Sequence, residues 1–409
     1  MSQTNSTAEN VVILGAGHAG AQVAASLRQE GFEGAITLVS DEADVPYHKP
    51  PLSKAFLKTH DAELQLLRAE DFYAQQNISR MHAHVTKLDV TGRNVVFKDG
   101  TMLGYDRLVL ATGARPRLST LPGADLAGVM PLRSQDDALK LRSRISQVSD
   151  VVVLGGGFIG MEAAFTLAGL GKKVTIVEFA PRILNRAVSQ VVSDHMMALA
   201  KTKGIDVVVN TALKEIGGEA GAVTHVVTAA GDVIKAQMVV LGIGVVPNME
   251  LAQAAGLTCG NGVVVDLHMR TSDDHIYAVG DVVAYDHWLA ERVVRLESVQ
   301  NATDQAKLVA RTLMGHEEAY HTVPWFWSDQ GDAKLQMAGL SLDADEFVTR
   351  GDKASGAFSV YHYRKGKLIA VDSVNKAADH MIARRLLAGG HSPPPAVVGD
   401  VTQDLKALI

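Results

Sequence analysis

The stretch VVILGAGHAG at residues 11–20 is matched, 140 residues further on, by VVVLGGGFIG at residues 151–160. Each copy opens on a β-branched run that favours a buried strand, passes through glycines spaced GxGxxG, and enters an apolar segment of helical length at residues 21–30 or 161–169. A second strand follows each helix, ITLVSDE from Ile36 and VTIVEFAPR from Val174. The chain therefore contains a βαβ unit twice. In such a unit the first glycine makes a tight turn, the second lets backbone approach a pyrophosphate, and the third lets helix and strand pack closely. Those roles fall to Gly15, Gly17 and Gly20, and again to Gly155, Gly157 and Gly160, with Ile159 beside the last of them. The anion would sit on unpaired N–H groups at the helix start, where the helix dipole favours negative charge.

Working outward, each unit continues into a polar, β-rich stretch with a turn and then a strand that ends on glycine. The first has Lys98, Asp99 and Gly100 before RLVLATGARP; the second has Gly231 and Asp232 before MVVLGIGVVP, which carries Gly244. Both repeats are thus whole nucleotide-binding domains. After Pro247 come the strand GVVVD, the segment HIYAVGDVVAY and a helix expected over residues 299–314. From Trp325 the pattern changes to the strands KLQMAGL, EFVTRG and AFSVYHYRKGKLIAVDSV, then a helix over residues 376–387 and SPPPAV. The expected fold is α/β: two Rossmann-like dinucleotide-binding domains plus a small C-terminal α+β domain. The first domain would comprise residues 1–115 and 248–324, the second 116–247, and the third 325–409. At roughly 150 residues per domain, 409 residues suit two to three domains.

Composition narrows the function. With 47% apolar and 21% charged residues the chain is an ordinary globular one. A net charge of -6 argues against nucleic acid as main partner. One cysteine, Cys259, excludes an intrachain disulfide, a CxxC redox pair and a cysteine-rich metal site. The polar start MSQTNSTAEN lacks the basic and apolar regions of a secretory signal and reads as a short disordered lead, which suits a cytoplasmic protein. Residues 151–171 are apolar enough to raise the question of a membrane span, but Glu162 and six glycines there favour a buried strand and helix, and no membrane is expected.

An acid at the end of the second strand can grip a ribose 2′-hydroxyl and repel a 2′-phosphate, so Glu178 favours NADH over NADPH. Arg182 and Arg186, close behind, work against that inference. In the first unit Ser40 takes the aligned position and Asp41 and Glu42 follow, leaving two candidate acids. The spacing alone does not say which site takes a flavin dinucleotide. Asp281, after the strand IYAV and Gly280, is a candidate acceptor for the hydroxyls of a ribityl chain, the plainer reading being a turn and helix cap. Thr112 and Gly113, in ATG, mark a strand end where backbone must come near a cofactor.

Taken together, GAGHAG, YHKPPLSK, RLVLATGARP, LGGGFIGME, YAVGD and PWFWSDQ resemble the FAD-dependent NADH:ferredoxin reductases of bacterial oxygenase systems, over nearly the whole chain. The two-dinucleotide frame by itself indicates only the larger glutathione-reductase-like group. The resemblance implies FAD on Gly15, Gly17 and Gly20, with Asp281 at the ribityl chain and Arg133 nearby. It implies that Lys54 lies against the flavin N5 edge, paired with Glu162, where an ammonium favours the negative charge of a reduced flavin. It also implies that Trp327 lies between flavin and a 2Fe-2S ferredoxin. Several relatives carry arginine where this chain has Lys49, and the acid closing the second strand of the first unit is displaced.

Trp325 and Trp327, two apart in an extended segment, share one face, with a domain-interface core as the plainer reading of Trp325. An acidic electron carrier needs a local basic face, for which Lys307, Arg384, Arg385 and Lys406 are candidates. Two other functions compete. A flavin-dependent NADH oxidase, peroxidase or other small-molecule reductase often relies on a redox cysteine; here VPYHKPPLSK has none, and Cys259 reads as structural. A redox-responsive interaction protein like apoptosis-inducing factor would show a targeting segment and a basic surface.

Overall fold

Val11, Val12 and Ile13 are fully buried, as are Val152 and Val153, and that is why these runs are central strands of parallel sheets rather than edges. The computed structural model describes residues 9–59 and 61–409; of the polar lead read from residues 1–10, residues 1–8 lie outside the described residues and Asn10 opens the first strand. Two compact units are present. One takes the chain up to His48, Gln65–Arg115 and Pro247–Pro324; the other takes Lys49–Leu64, Pro116–Val246 and Trp325–Ile409.

In the first unit, strand Asn10–Leu14 lies between Ala35–Ser40 and Arg107–Leu110, with Ile78–His82 and Ile276–Ala278 at the edges, and every pairing is parallel. Helix His18–Gln29 packs against helix Val299–Leu313. Helices on a parallel sheet close both faces, so the strands read as continuous apolar runs.

The second unit repeats the plan. Strand Asp150–Leu154 lies between Lys173–Val177 and Met238–Leu241, flanked by Asp206–Val208 and Val129–Pro131, again all parallel. The same unit carries a five-stranded antiparallel sheet in the order Trp325–Gln330, Ala333–Gly339, Lys367–Val374, Ala357–Arg364, Glu346–Asp352, backed by helix Ala377–Ala388. The run AFSVYHYRKGKLIAVDSV turns at Lys365 and Gly366, both with positive φ (51° and 74°), the geometry of a two-residue hairpin. The resulting fold is α/β with two parallel dinucleotide-type sheets and a C-terminal α+β portion.

Two sequence expectations shift by one helical turn. The helices behind the fingerprints begin at His18 and Phe158, inside the glycine motif, not at residues 21 and 161. Gly17 and Gly157 are their N-caps, and with no side chain to cap, the first-turn N–H groups are left for another acceptor. Residues 151–171 form a buried strand and a 12-residue helix, and no described helix is long and apolar enough to cross a membrane.

Candidate functional site

The two fingerprints divide their glycines by space. A Cβ on Gly15 (φ +105°) would stand 2.2 Å from the Ala111 carbonyl oxygen, and one on Gly20 would stand 1.8 Å from the Gly15 oxygen. The second unit repeats this: Gly155 (φ +103°) against Gly242 at 2.4 Å, and Gly160 against the Gly155 oxygen at 2.1 Å. The middle glycines differ. A Cβ on Gly17 meets nothing within 4 Å, and one on Gly157 meets only the Gly242 oxygen at 4.0 Å. Open space over a helix N-terminus with no acid in its first turn fits a pyrophosphate in both units. Ile159, at the start of the second helix, is exposed.

At the end of the second strands the units part. The Glu178 carboxylate accepts the Gly156 N–H at 2.6 Å through Oε2 and the Ala180 N–H at 2.6 Å through Oε1. It is fixed beside the glycine turn. Arg182 spends its guanidinium on the carbonyls of Asn185 (2.8 Å) and Ser189 (3.5 Å), and burial acts against its charge. Arg186 comes no nearer than 4.0 Å to the Cβ position of Gly244, whose carbonyl accepts the Arg117 N–H at 2.9 Å. In the first unit the aligned Ser40 accepts the Glu42 N–H at 3.0 Å, and the Tyr47 hydroxyl donates to the Glu42 carboxylate. Asp41 is exposed.

Thr112 donates its hydroxyl to the Asn248 carbonyl at 2.7 Å, and the Asn248 N–H reaches the Gly113 carbonyl at 2.9 Å. The hydroxyl of Thr112 is therefore already committed, whereas Gly113 (φ +64°) has open space at its Cβ position. Gly280 (φ +81°) packs against Ala19, its Cβ position 3.0 Å away, and donates its N–H to Gln305 at 2.7 Å. Asp281 thereby stands at the same end of this unit as the first fingerprint.

In the second unit the sequence-distant pair Lys54 and Glu162 is brought together, Nζ to Oε2 at 2.7 Å, with Glu162 buried. Ser53 donates to the same oxygen at 2.6 Å and Ser328 donates to Oε1 at 2.5 Å. Thr166, one helical turn beyond Glu162, donates to the Ser53 carbonyl at 2.8 Å. Arg142 reaches the carbonyls of Phe56 (3.3 Å), Thr59 (3.3 Å) and Ala62 (3.2 Å) and stacks on the Phe56 ring at 4.5 Å. None of Ser53, Arg142, Thr166 and Ser328 was singled out from sequence. Arg133 stands just before Ser134, which caps helix Gln135–Ile145, and its N–H binds Asp137 at 3.0 Å.

Trp325 and Trp327 are half-buried with ring centroids 5.7 Å apart. The Arg384 guanidinium lies 4.5 Å over Trp325, while Arg385 and Lys406 are exposed in the same unit and Lys307 is exposed in the other. Cys259 sits at the start of a short strand, and burial pushes its thiol pKa up, away from the reactive thiolate. Among the described residues there is no group of three or more His, Cys, Asp or Glu that could hold a metal ion.

The sequence model of the pyridine nucleotide-disulphide oxidoreductases matches residues 9–306, and that of the reductase C-terminal domain matches residues 325–409. Rhodocoxin reductase of Rhodococcus erythropolis is 45% identical over 402 residues, covering 98% of this chain and 94% of that protein. The crystal structure of the ferredoxin reductase for the CYP199A2 system from Rhodopseudomonas palustris matches with a TM-score of 0.96 at 43% identity, covering 98% of this chain and 100% of that one. The covalent putidaredoxin reductase–putidaredoxin complex matches with a TM-score of 0.94 at 38% identity, covering 98% of each chain.

Proposed function

The chain belongs to the pyridine nucleotide-disulphide oxidoreductases, and on that premise we propose that it is an FAD-dependent NADH:ferredoxin reductase delivering electrons to a 2Fe-2S ferredoxin that serves an oxygenase. The observation that carries this reading is the pair of fingerprints, each with open space at its middle glycine, in a chain with a single cysteine. An intrachain redox disulphide needs two cysteines, and this chain has only Cys259, whose thiol pKa is raised by burial. Relatives aligned over about nine tenths of the chain or more include a ferredoxin–NAD(P)+ reductase and rubredoxin–NAD+ reductases, and one solved relative is in covalent complex with putidaredoxin.

On this reading residues 1–115 and 248–324 form the FAD domain, 116–247 the NAD domain and 325–409 a third domain. Gly15, Gly17 and Gly20 admit the FAD pyrophosphate, Asp41 is the better candidate for its ribose because Glu42 is engaged by Tyr47, and Asp281 serves the ribityl chain. Gly113 lets backbone approach, and Thr112 acts through its main-chain N–H because its hydroxyl and its carbonyl both serve Asn248. Arg133 is assigned to FAD by resemblance. Gly155, Gly157, Ile159, Gly160 and Gly244 shape the NADH site, and Glu178 sets NADH over NADPH. Held on Gly15, Gly17 and Gly20, FAD would supply the means of turning a two-electron hydride donor into a source of single electrons. The protein's part is orientation, exclusion of water and placement of charge. Lys54 supplies a positive charge that Glu162 keeps in place, and Trp327 forms the exit toward the ferredoxin. Arg384, Arg385, Lys406 and Lys307 steer an acidic partner. The compartment assigned is the cytoplasm, where NADH is produced.

The test is steady-state reduction of cytochrome c by NADH. A high rate only when a 2Fe-2S ferredoxin is present supports the reading. An equal rate without ferredoxin favours direct reduction of small molecules and removes it.

A further inference from the structure

The strand Trp325–Gln330 presents two different faces, because side chains alternate along it. Trp325 and Trp327 share one face. On the other, Phe326 packs against Phe158 with centroids 4.6 Å apart, Ser328 reaches Glu162, and Gln330 reaches Ser328 and the Phe158 carbonyl. Ser328 and Gln330 are essentially without exposure (1% and 0%); Gln330 Nε2 has two acceptors inside the protein, Ser328 Oγ and the Phe158 carbonyl, and its Oε1 has none.

The direction of this chain of bonds is fixed by chemistry. The Gln330 amide Nε2 can only donate, and it donates to Ser328 Oγ at 2.7 Å. The Ser328 hydroxyl hydrogen is thereby turned to Glu162 Oε1 at 2.5 Å. An ionised carboxylate is acceptor only, and here Ser328 takes one oxygen while Ser53 and Lys54 take the other. Without Ser328 the inner oxygen of a carboxylate only 4% exposed would lose its donor. A side chain held at both oxygens has one orientation. One held at a single oxygen can rotate away from its cation.

We propose that Ser328, aimed by Gln330, is a positioning residue for the Glu162–Lys54 pair, tying the placement of the Lys54 charge to the strand that carries Trp325 and Trp327. Buried polar groups at alternate positions also fix the register of the strand: a slip by one residue would put Trp327 where Ser328 meets Glu162. Entry and exit of electrons are thus set by the two faces of one strand. This inference rests on the reading above that Lys54 serves the flavin.

The test uses the flavin-loaded protein and two readouts, the flavin midpoint potential and the rate of flavin reduction by NADH. In Ser328→Ala the carboxylate loses a donor, its negative charge is less compensated, and the potential moves to more negative values. Loss of a hydrogen bond to a charged group slows flavin reduction about tenfold, with the apparent affinity for NADH unchanged. Ser328→Thr, which keeps the hydroxyl, restores both readouts. In a Glu162→Gln background, Ser328→Ala changes the potential no further. Should the alanine variant fail to hold flavin, Ser328→Cys, with its weak donor, replaces it and gives a smaller shift in the same direction. A wild-type potential and rate in Ser328→Ala, or a full additional shift in the Glu162→Gln background, overturns the proposal. Lys54→Met separates the two claims. A wild-type potential in Lys54→Met removes the reading of Lys54 itself, whereas a shifted potential there beside a wild-type Ser328→Ala removes only the role given to Ser328.

Discussion

Glu178 accepts the main-chain N–H of Gly156 at 2.6 Å, so the carboxylate that closes the second strand is tied to the turn of the second fingerprint. On the proposed assignment of this turn to NADH, a negative charge fixed there would oppose a 2′-phosphate on the adenosine ribose, and Arg182 is occupied by carbonyls of its own loop. Glu178→Ala should lower the ratio of kcat/KM for NADH to that for NADPH by about 10–100-fold, at about 1.4 kcal/mol per tenfold. Steady-state kinetics with both nucleotides checks this; an unchanged ratio would place the discrimination elsewhere.

The glycines of the first fingerprint should separate stability from binding. A methyl on Gly20 would collide with the Gly15 carbonyl, so Gly20→Ala should cost about 1–3 kcal/mol or more and lower the unfolding temperature of the protein with or without FAD. Gly17 has φ -73° and ψ -166°, ordinary for any residue, and open space at its Cβ. Gly17→Ala should therefore unfold like the parent when stripped of FAD, yet bind FAD about tenfold more weakly or worse. Thermal unfolding and flavin titration of both variants would show whether the two effects divide this way.

Acid should destabilise the fold through two buried histidines. His287 and His380 are each 2% exposed, and burial is the first cause that pushes their pKa values down to about 4, with His321 and Arg384 respectively adding to it. In the unfolded chain they protonate near 6.5, so the unfolded state binds more protons between about 6.5 and about 4, and stability falls as pH drops through that window. His287 Nδ1 accepts the Leu289 N–H at 3.1 Å, a bond that protonation there would break. His287→Asn, which offers an acceptor at that place, should flatten the fall in unfolding temperature between pH 7 and pH 5. A slope identical to the parent's would remove His287 from the account.

Arg142 holds the segment that carries Lys54 by three carbonyls and the Phe56 ring. Arg142→Met, which keeps the apolar stem but loses the donors, should slow flavin reduction by NADH several-fold and expose the neighbourhood of Thr59 to proteases. Limited proteolysis at the parental rate, with unchanged flavin reduction, would show that the segment is held by Glu162 and Thr166 alone.

The contrast between residues found by sequence and those found only in the structure has a physical basis. Glycine motifs are local: tight turn, helix start and packing contact lie within six residues, so Gly15 to Gly20 and Gly155 to Gly160 could be read directly, as could the parallel strands around them. Lys54 and Glu162, 108 positions apart, became a pair only through a resemblance. Ser53, Ser328, Gln330 and Arg142 had no such signal. A serine or glutamine in a strand usually marks a solvated face, and only the burial of Ser328 against Glu162 turns that expectation around. The helix starts differ from the expected ones by a turn because sequence patterns register apolar periodicity, whereas these helices start at His18 and Phe158, inside the glycine motif and behind the N-caps Gly17 and Gly157.

The central claim is that two electrons enter together from NADH and leave one at a time to an iron–sulfur partner. Its most direct test is the anaerobic stoichiometry of NADH oxidation by a catalytic amount of this protein with excess 2Fe-2S ferredoxin. Two ferredoxins should be reduced per NADH, NADH oxidation should not be sustained when ferredoxin is omitted, and Trp327→Ala should lose ferredoxin reduction but not flavin reduction. NADH oxidation in air at the same rate with and without ferredoxin, the added ferredoxin remaining oxidised, would contradict that claim.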